Sequence, residues 1–401
     1  MVSTFAIVIV LIMSVTILAI STRVILSLNR GIDSYSERQA YWNAQSAVSV
    51  WTTAQDLPLV NTTTYNSNNG WDTAGEIEID PTENKNEGIG RTGPDSNIVW
   101  RVKLPDQGSG GQPGTVYTFT NCGKEGPLGP SQNDCNGEYQ GTSLQGIVDV
   151  TEGIQEWTVQ QTDHYTIQAF GAQGGAGTSN GGVPGGLGAR MKGEFYLSAG
   201  SKLYILIGQQ ADGISHHQTQ NAGGGGGGGT FVVLESDDPL LVAGGGGGTG
   251  ANTGVVQLMT HGQSGESGAR SSVNFNFSQN GEGGNSGYDG AGGGGFSTDG
   301  VHSQTVGLGG KSFLNGGAGG GFRSSGDYPS GVHMGYGGFG GGGGVGHAGG
   351  GGGGYSGGNG SGQYGNGSWT GGGGSFNAGQ NQETEAGNNS GHGKVIITVM
   401  E

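Results

Sequence analysis

Apolar residues are unevenly spread along the chain. Phe5 to Ile20 reads FAIVIVLIMSVTILAI, and no charged side chain occurs before Arg23. About 20 such residues cross a bilayer as a helix. Past that run the pattern turns amphipathic: Ala40, Ala44, Ala47 and Trp51 recur at helical spacing, with Tyr41 and Val48 beside them. No proline precedes Pro58, and Gly31 is the one glycine before residue 56. Residues 1–55 are therefore predicted as one long helix, a rod of roughly 80 Å. Small residues along such a stripe permit close helix–helix approach. Its second half suits a helical bundle more than a simple anchor, with Phe5, Ala40, Ala44, Ala47 and Trp51 as the predicted bundle contacts.

Residues 56–114 read as a small β-containing connector ending in a linker, Gln107 to Gly114 (QGSGGQPG). Glu76–Ile79 and Ile98–Leu104 alternate as strands do and predict a hairpin or small sheet packed on the helix. From residue 115 onward strand patterns enclose runs of glycine. The predicted strands are Val116–Phe119, Glu156–Val159, His164–Phe170, Glu194–Leu197, Lys202–Ile207, Thr230–Leu234, Leu240–Ala243 and Lys394–Val399. Glycine runs are followed by single aromatics: Phe231, Phe296, Phe322, Phe339, Tyr355 and Phe376. Buried polyglycine must pair its N–H and C=O groups, and only glycine lets backbones approach so closely. The expectation is a bundle of polyglycine II helices, three residues per turn, held by a β scaffold and aromatic plugs. The predicted fold class is α+β: a long N-terminal helix, then a mainly β glycine-rich domain over 115–401.

Composition narrows the function. Glycine supplies 96 of 401 residues, and 15 basic against 31 acidic side chains give a formal charge of −16. That disfavours nucleic acid and anionic headgroups, which need clustered Lys and Arg. Cys122 and Cys135, with no His or Cys near them, fit a disulfide in an exported protein better than a metal site. The first basic residues follow the apolar run, which by the positive-inside rule would leave the rest in the cytoplasm. Removal of a short basic leader before Met1 reconciles this with an exported chain, making Met1 the expected processed N-terminus.

Chemical motifs are weak. Gly177–Gly181 and Gly354–Gly358 fit G-x-S-x-G, but neither lies between an apolar strand and a helix. Gly310-Lys311-Ser312 ends like a phosphate loop but lacks its leading glycine at Thr305. His216-His217 is an adjacent pair without further ligands, and Asn133–Glu138 offers oxygens for Ca²⁺ as an alternative to a disulfide-closed turn. Asn61-Thr62-Thr63 and Asn276-Phe277-Ser278 are sequons. No cofactor and no enzymatic activity are expected.

Two resemblances complete the reading. The uncharged aliphatic start, continuing through Ser36-Glu37-Arg38-Gln39-Ala40-Tyr41-Trp42-Asn43-Ala44-Gln45-Ser46-Ala47, resembles the N-terminal helix of type IV pilins and pseudopilins. It implies leader removal, residence in the inner membrane before assembly, and packing with copies of itself into an extracellular filament core. Phe5 stands where most bacterial pilins carry Glu, and Thr22 where most carry Pro, so the usual docking contact would differ. The series Tyr117–Gly123, Cys135, Tyr139–Thr142, Gln155–Trp157, Tyr165–Gly175 (YTIQAFGAQGG), Leu203–Gln210 and Thr230–Val233 resembles the glycine-rich domain of the anaplastic lymphoma kinase and leukocyte tyrosine kinase receptors. Bacterial surface proteins with such domains look similar, including Gly391–Ile397. The resemblance implies a disulfide between Cys122 and Cys135 and a jelly-roll-like β-sandwich with a bundle of polyglycine II helices. The expected function is a filament subunit displaying a glycine-rich domain for adhesion to an unknown surface ligand. The alternatives are a minor pilin at a filament tip and a monomeric membrane-anchored receptor.

Overall fold

The computed structural model describes residues 114–400, apart from 178–182, 212–222, 251–257, 273–275, 324–334 and 363–368, together with the backbones of four upstream strands. The predicted helix over residues 1–55, with Met1, Phe5, Ala40, Ala44, Ala47 and Trp51, lies outside the described residues. The chain divides into two compact units, Met1–Ser109 and Gly110–Glu401.

The α+β expectation is corrected. The described residues are mainly β, with one α-helix, α1 (Gln132–Glu138), of seven residues. Among them no helix is long and apolar enough to cross a membrane, so the membrane-helix expectation has no counterpart there. In the first unit, β1 (Thr62–Asn66), β2 (Thr73–Asp80), β3 (Lys85–Thr92) and β4 (Ile98–Lys103) form an antiparallel sheet in chain order. The two predicted strands therefore do not pair with each other. β3 lies between them, setting Glu76 opposite Ile89 and Gly90 opposite Trp100. Its sequence, KNEGIGRT, carries too few apolar residues to show a period of two.

The second unit stacks two antiparallel sheets. One has the order β13 (Phe376–Asn377), β12 (Pro239–Ala243), β11 (Thr230–Leu234), β10 (Lys202–Leu206), β7 (Ile154–Thr158), β6 (Val148–Thr151). The other runs β14 (Gln380–Asn389), β9 (Gly188–Leu197), β8 (Asp163–Phe170), β15 (Lys394–Val399), β5 (Val116–Phe119). Alternation fixes which face is inward. Tyr165, Ile167 and Ala169 of β8, Met191 and Phe195 of β9, and Val395, Ile397 and Val399 of β15 are all buried. They meet Leu203 and Ile205 from the other sheet around Trp157. The Trp157 ring lies 4.9 Å from Tyr117, 6.0 Å from Phe119 and 6.4 Å from Tyr165, the last two edge-on.

Cys122 and Cys135 are joined. The disulfide ties the end of β5 to α1, whose start is closed by a capping box between Ser131 and Asp134. Gln132 guards the edge of β6: its Nε2 donates to Val148 O at 2.9 Å and its Oε1 accepts from Val150 N at 2.7 Å. Tyr139 Oη donates to the buried Gln155 at 2.6 Å. Replacing both cysteines by serine is expected to cost about 3 kcal/mol, since reopening the loop frees unfolded-state entropy. The measurement is a lower denaturant midpoint in chemical unfolding.

The expected bundle of helices is corrected as well: no helix is assigned to the described glycine runs. They are extended segments linked to one another by hydrogen bonds, and the partner changes with every residue. Gly223, Gly226 and Gly229 donate to the carbonyls of Gly346, Gly343 and Gly340. Gly224 and Gly227 donate instead to Thr249 and Gly246. Gly245 and Gly248 donate to Gly353 and Gly350, whose own N–H groups turn to Gly227 and Gly224. Partners recur every third residue, so each segment presents three bonding sides and shares its polar groups with several neighbours. Nearly all these glycines are fully buried, so every such bond replaces one to water.

Aromatics gather where this glycine lattice meets the six-stranded sheet. Phe231, Phe296, Phe313 and Phe339 form one buried cluster with Leu206, Val233 and Val242, and Tyr355 and Phe376 pack against it. They are one shared core, not separate plugs. Phe296 stacks on Phe313 at 5.4 Å, and Tyr355 on Phe376 at 4.8 Å. Phe322 is the exception among the predicted plugs: it pairs with Tyr336 at 5.1 Å, away from the cluster.

Candidate functional site

Because β8, β9 and β15 turn alternate side chains inward, the others project from the opposite face of the five-stranded sheet. The register arranges them in rows. Arg190, Phe170 and Lys394 form one row, and Lys192, Gln168, Ile396 and Thr118 the next. Glu194, Thr166, Thr398 and Val116 follow, then Tyr196 and His164. Every one of these residues is partly or fully exposed. The Lys394 ammonium sits 4.8 Å above the Phe170 ring, a cation–π contact. His164 and Tyr196 rings lie 5.1 Å apart. The face thus offers aromatic surfaces, amide and hydroxyl groups, and an ammonium that pairs with no carboxylate among the described residues.

The two other cations of the face are occupied. Arg190 bonds Glu385 and Glu383, each at 2.9 Å, and Lys192 bonds Glu383 at 2.7 Å. Both carboxylates come from β14, the exposed edge strand. Its pairing with β9 shifts register between Gln380 and Glu383 and again between Glu385 and Asn389. Asn381 and Gly387 both have positive φ. Bulges and charge together blunt an edge that would otherwise accept another strand. This strand was missed in the sequence because QNQETEAGNN has no apolar period. The face itself was legible, since His164–Phe170 and Lys394–Val399 alternate cleanly.

The motif candidates resolve into structural roles. Ser356 is buried, and its Oγ accepts the Gly281 N–H at 3.3 Å. The other G-x-S-x-G and His216-His217 fall outside the described residues. Asp134 of the Asn133–Glu138 segment is held low by the Ser131 N–H and hydroxyl it caps. Lys311 of the loop-like Gly310-Lys311-Ser312 bonds Asp299 at 2.7 Å, and Ser312 is buried.

Asp299, Lys311 and Asn315 bring together the parts for amide chemistry: an amine, a carboxamide and a carboxyl that touches both. Asp299 Oδ1 accepts from the Ser312 N–H and from Asn315 Nδ2, each at 2.9 Å. Partial burial pushes the Asp299 carboxyl up, but the bonds from Lys311, Asn315 and the Ser312 N–H outweigh it and hold it at about 2. An ionised carboxylate beside a charged ammonium cannot shuttle a proton to an attacking amine. The group instead anchors the turn that delivers Phe313 to the aromatic cluster. Because the folded carboxyl is depressed, its contribution is complete above about pH 4 and is lost as pH falls towards 2. Asp299→Asn is expected to cost about 1–2 kcal/mol at pH 7. Thermal melts should show the gap between the two proteins closing between pH 4 and pH 2.

No family model matches the chain. Over 97 residues it is 38% identical to the leukocyte tyrosine kinase receptor of Mus musculus, a stretch that amounts to 23% of this chain and 11% of that receptor. Over that stretch the chain is similar to that receptor. The match supports the receptor-like reading of the glycine-rich part and spans about a tenth of the receptor's length. Nothing in the comparisons supports the pilin resemblance of residues 1–55.

Proposed function

We propose that Gly110–Glu401 is a non-enzymatic contact module, displayed outside the cell, that binds a surface ligand through the open face of its five-stranded sheet. The observation carrying this reading is that face: rows of partly exposed aromatic, amide, hydroxyl and ammonium groups. The Cys122–Cys135 disulfide supports an oxidising, extracellular setting. The engaged states of Ser356, Lys311 and Asp299 support a role without catalysis. Formal charge of −16 argues against nucleic acid as the partner.

The test applies the full-length protein to immobilised glycans, cell surfaces and mineral particles. Binding should fall at least tenfold when Phe170, Ile396 and Lys394 are changed together to alanine, with an unchanged melting temperature. Undiminished binding by that variant, or none to any surface, would refute the reading. Self-association through residues 1–55, which would array such modules along a filament, rests on the sequence stripe alone. Electron microscopy of the purified full chain separates filaments from single particles.

A further inference from the structure

Three histidines of the glycine-rich unit share one arrangement. His261 Nδ1 accepts the Leu187 N–H at 2.9 Å, His302 Nδ1 accepts the Gly309 N–H at 2.9 Å, and His392 Nδ1 accepts the Gln210 N–H at 3.1 Å. An imidazole nitrogen accepts only while it carries no proton, and both nitrogens of the charged ring are donors. Each of these bonds therefore turns repulsive, N–H against N–H, when the ring is protonated.

His261 is the most constrained of the three. Its ring lies under Gly387 of β14 so closely that a Cβ there would come within 2.8 Å of Cγ. Gly387 N–H in turn donates to Gly262 O at 3.1 Å, and Gly262 N–H to Leu187 O at 2.8 Å. This one side chain thus joins the start of β9, the end of β14 and the segment around 258–263. The other contacts of the segment, Leu258, Gly262 and Gly372, are uncharged. Glu385 on β14 and Arg190 on β9 bond each other, leaving neither free to balance an imidazolium. Burial holds His261 below the ordinary imidazole range.

The other two differ in what surrounds them. His302 is exposed. His392 faces Glu125, with Nε2 and Oε1 3.7 Å apart, a carboxylate neighbour of a kind that His261 lacks among its hydrogen-bond partners. Lys394, two residues on, is turned to Phe170.

We propose that His261 is an acid-sensitive clasp: mild acid protonates its Nδ1 and opens the seam between the β9–β14 edge and the glycine lattice. The sign follows from the geometry. A ring held neutral by folding contributes its bond at neutral pH and forfeits it as pH falls through the histidine range. β14 carries Glu383 and Glu385, the partners of Arg190 and Lys192, so opening this seam also uncovers two cations on the sheet face.

The test uses the full-length protein, with imidazole nitrogen shifts and amide hydrogen exchange followed by NMR between pH 7.5 and 5. At pH 7.5 the Nδ1 of His261 should be unprotonated. At pH 5, after correction for intrinsic exchange, the Leu187 amide should exchange about tenfold faster, the worth of one net hydrogen bond. Gly309 and Gln210 should change less. His261→Asn places an uncharged acceptor near the Nδ1 position and should keep Leu187 protected at both pH values. A proton on His261 Nδ1 at pH 7.5, or Leu187 exchange indifferent to pH, overturns the proposal. So does a His261→Asn protein that loses Leu187 protection in acid as the parent does. If that variant does not fold, the parent titration decides alone.

Discussion

Gly226→Ala is expected to cost about 3 kcal/mol or more. The added Cβ would overlap the carbonyl of Gly351 and crowd the amide nitrogen of Gly343. Those atoms are not mobile side-chain ends. Gly226 itself donates to Gly343 O at 3.0 Å, and Gly338 N–H donates to Gly226 O at 2.9 Å. Relief requires moving a segment whose every third bond goes to the same neighbour, so several bonds lengthen together. Their groups are buried where water cannot replace the lost partner. Gly137→Ala is the control: it lies in α1 with nothing within 4 Å of the new Cβ, and alanine favours the helix. Chemical denaturation of the two variants should show a large drop for the first and little change or a slight gain for the second. Equal midpoints for both would contradict the close packing of the lattice.

Trp157→Ala is expected to cost about 3–5 kcal/mol. The indole is fully buried between the sheets, and Tyr117, Phe119 and Tyr165 all contact it. Its removal leaves a cavity whose walls are paired strands with little freedom to collapse. Trp157→Phe should cost less than half as much. It keeps most of the apolar volume, and the indole Nε1 has no hydrogen-bond partner to lose. Melting curves of the two variants give the comparison, and a Phe variant as damaged as the Ala variant would show that shape, not burial, dominates here.

The strands of the sandwich were legible where one face is buried and the other is wet. Val116–Phe119 and Lys394–Val399 have the bounds that their alternation suggests, and Thr230–Leu234, buried on both faces, is marked by its apolar run. β9 begins earlier than Glu194: Arg190 and Lys192 keep the outward positions, but small residues, Ala189 and Gly193, at inward ones make the period faint. β14 was invisible for the opposite reason: it overhangs the core and needs no apolar side chain. Asn133–Glu138, weighed as a turn or an oxygen cluster, became α1 through a capping box at Ser131 and Asp134. The glycine runs announced burial but not their pairing, since nothing local tells Gly226 that its acceptor is Gly343. Phe313 was overlooked as a core residue because it follows Lys311-Ser312 instead of a glycine run. The outer sheet face could be placed from alternation, but its neutralisation by Glu383 and Glu385 could not. That depends on an edge strand nearly two hundred residues away from Arg190.

The three-sided bonding of the glycine segments also orders events in time. Gly223–Gly229 cannot satisfy its backbone until the stretches around 246–249, 340–346 and 350–353 have all arrived. These contacts are far apart in sequence, so loop-closure entropy opposes them until late, and folding is correspondingly slow. A chain emerging from a ribosome or an export channel would hold its early glycine runs solvated and unassembled until the last of them has passed. Lys394–Val399, which inserts between β8 and β5, is then the final piece that locks the unit shut.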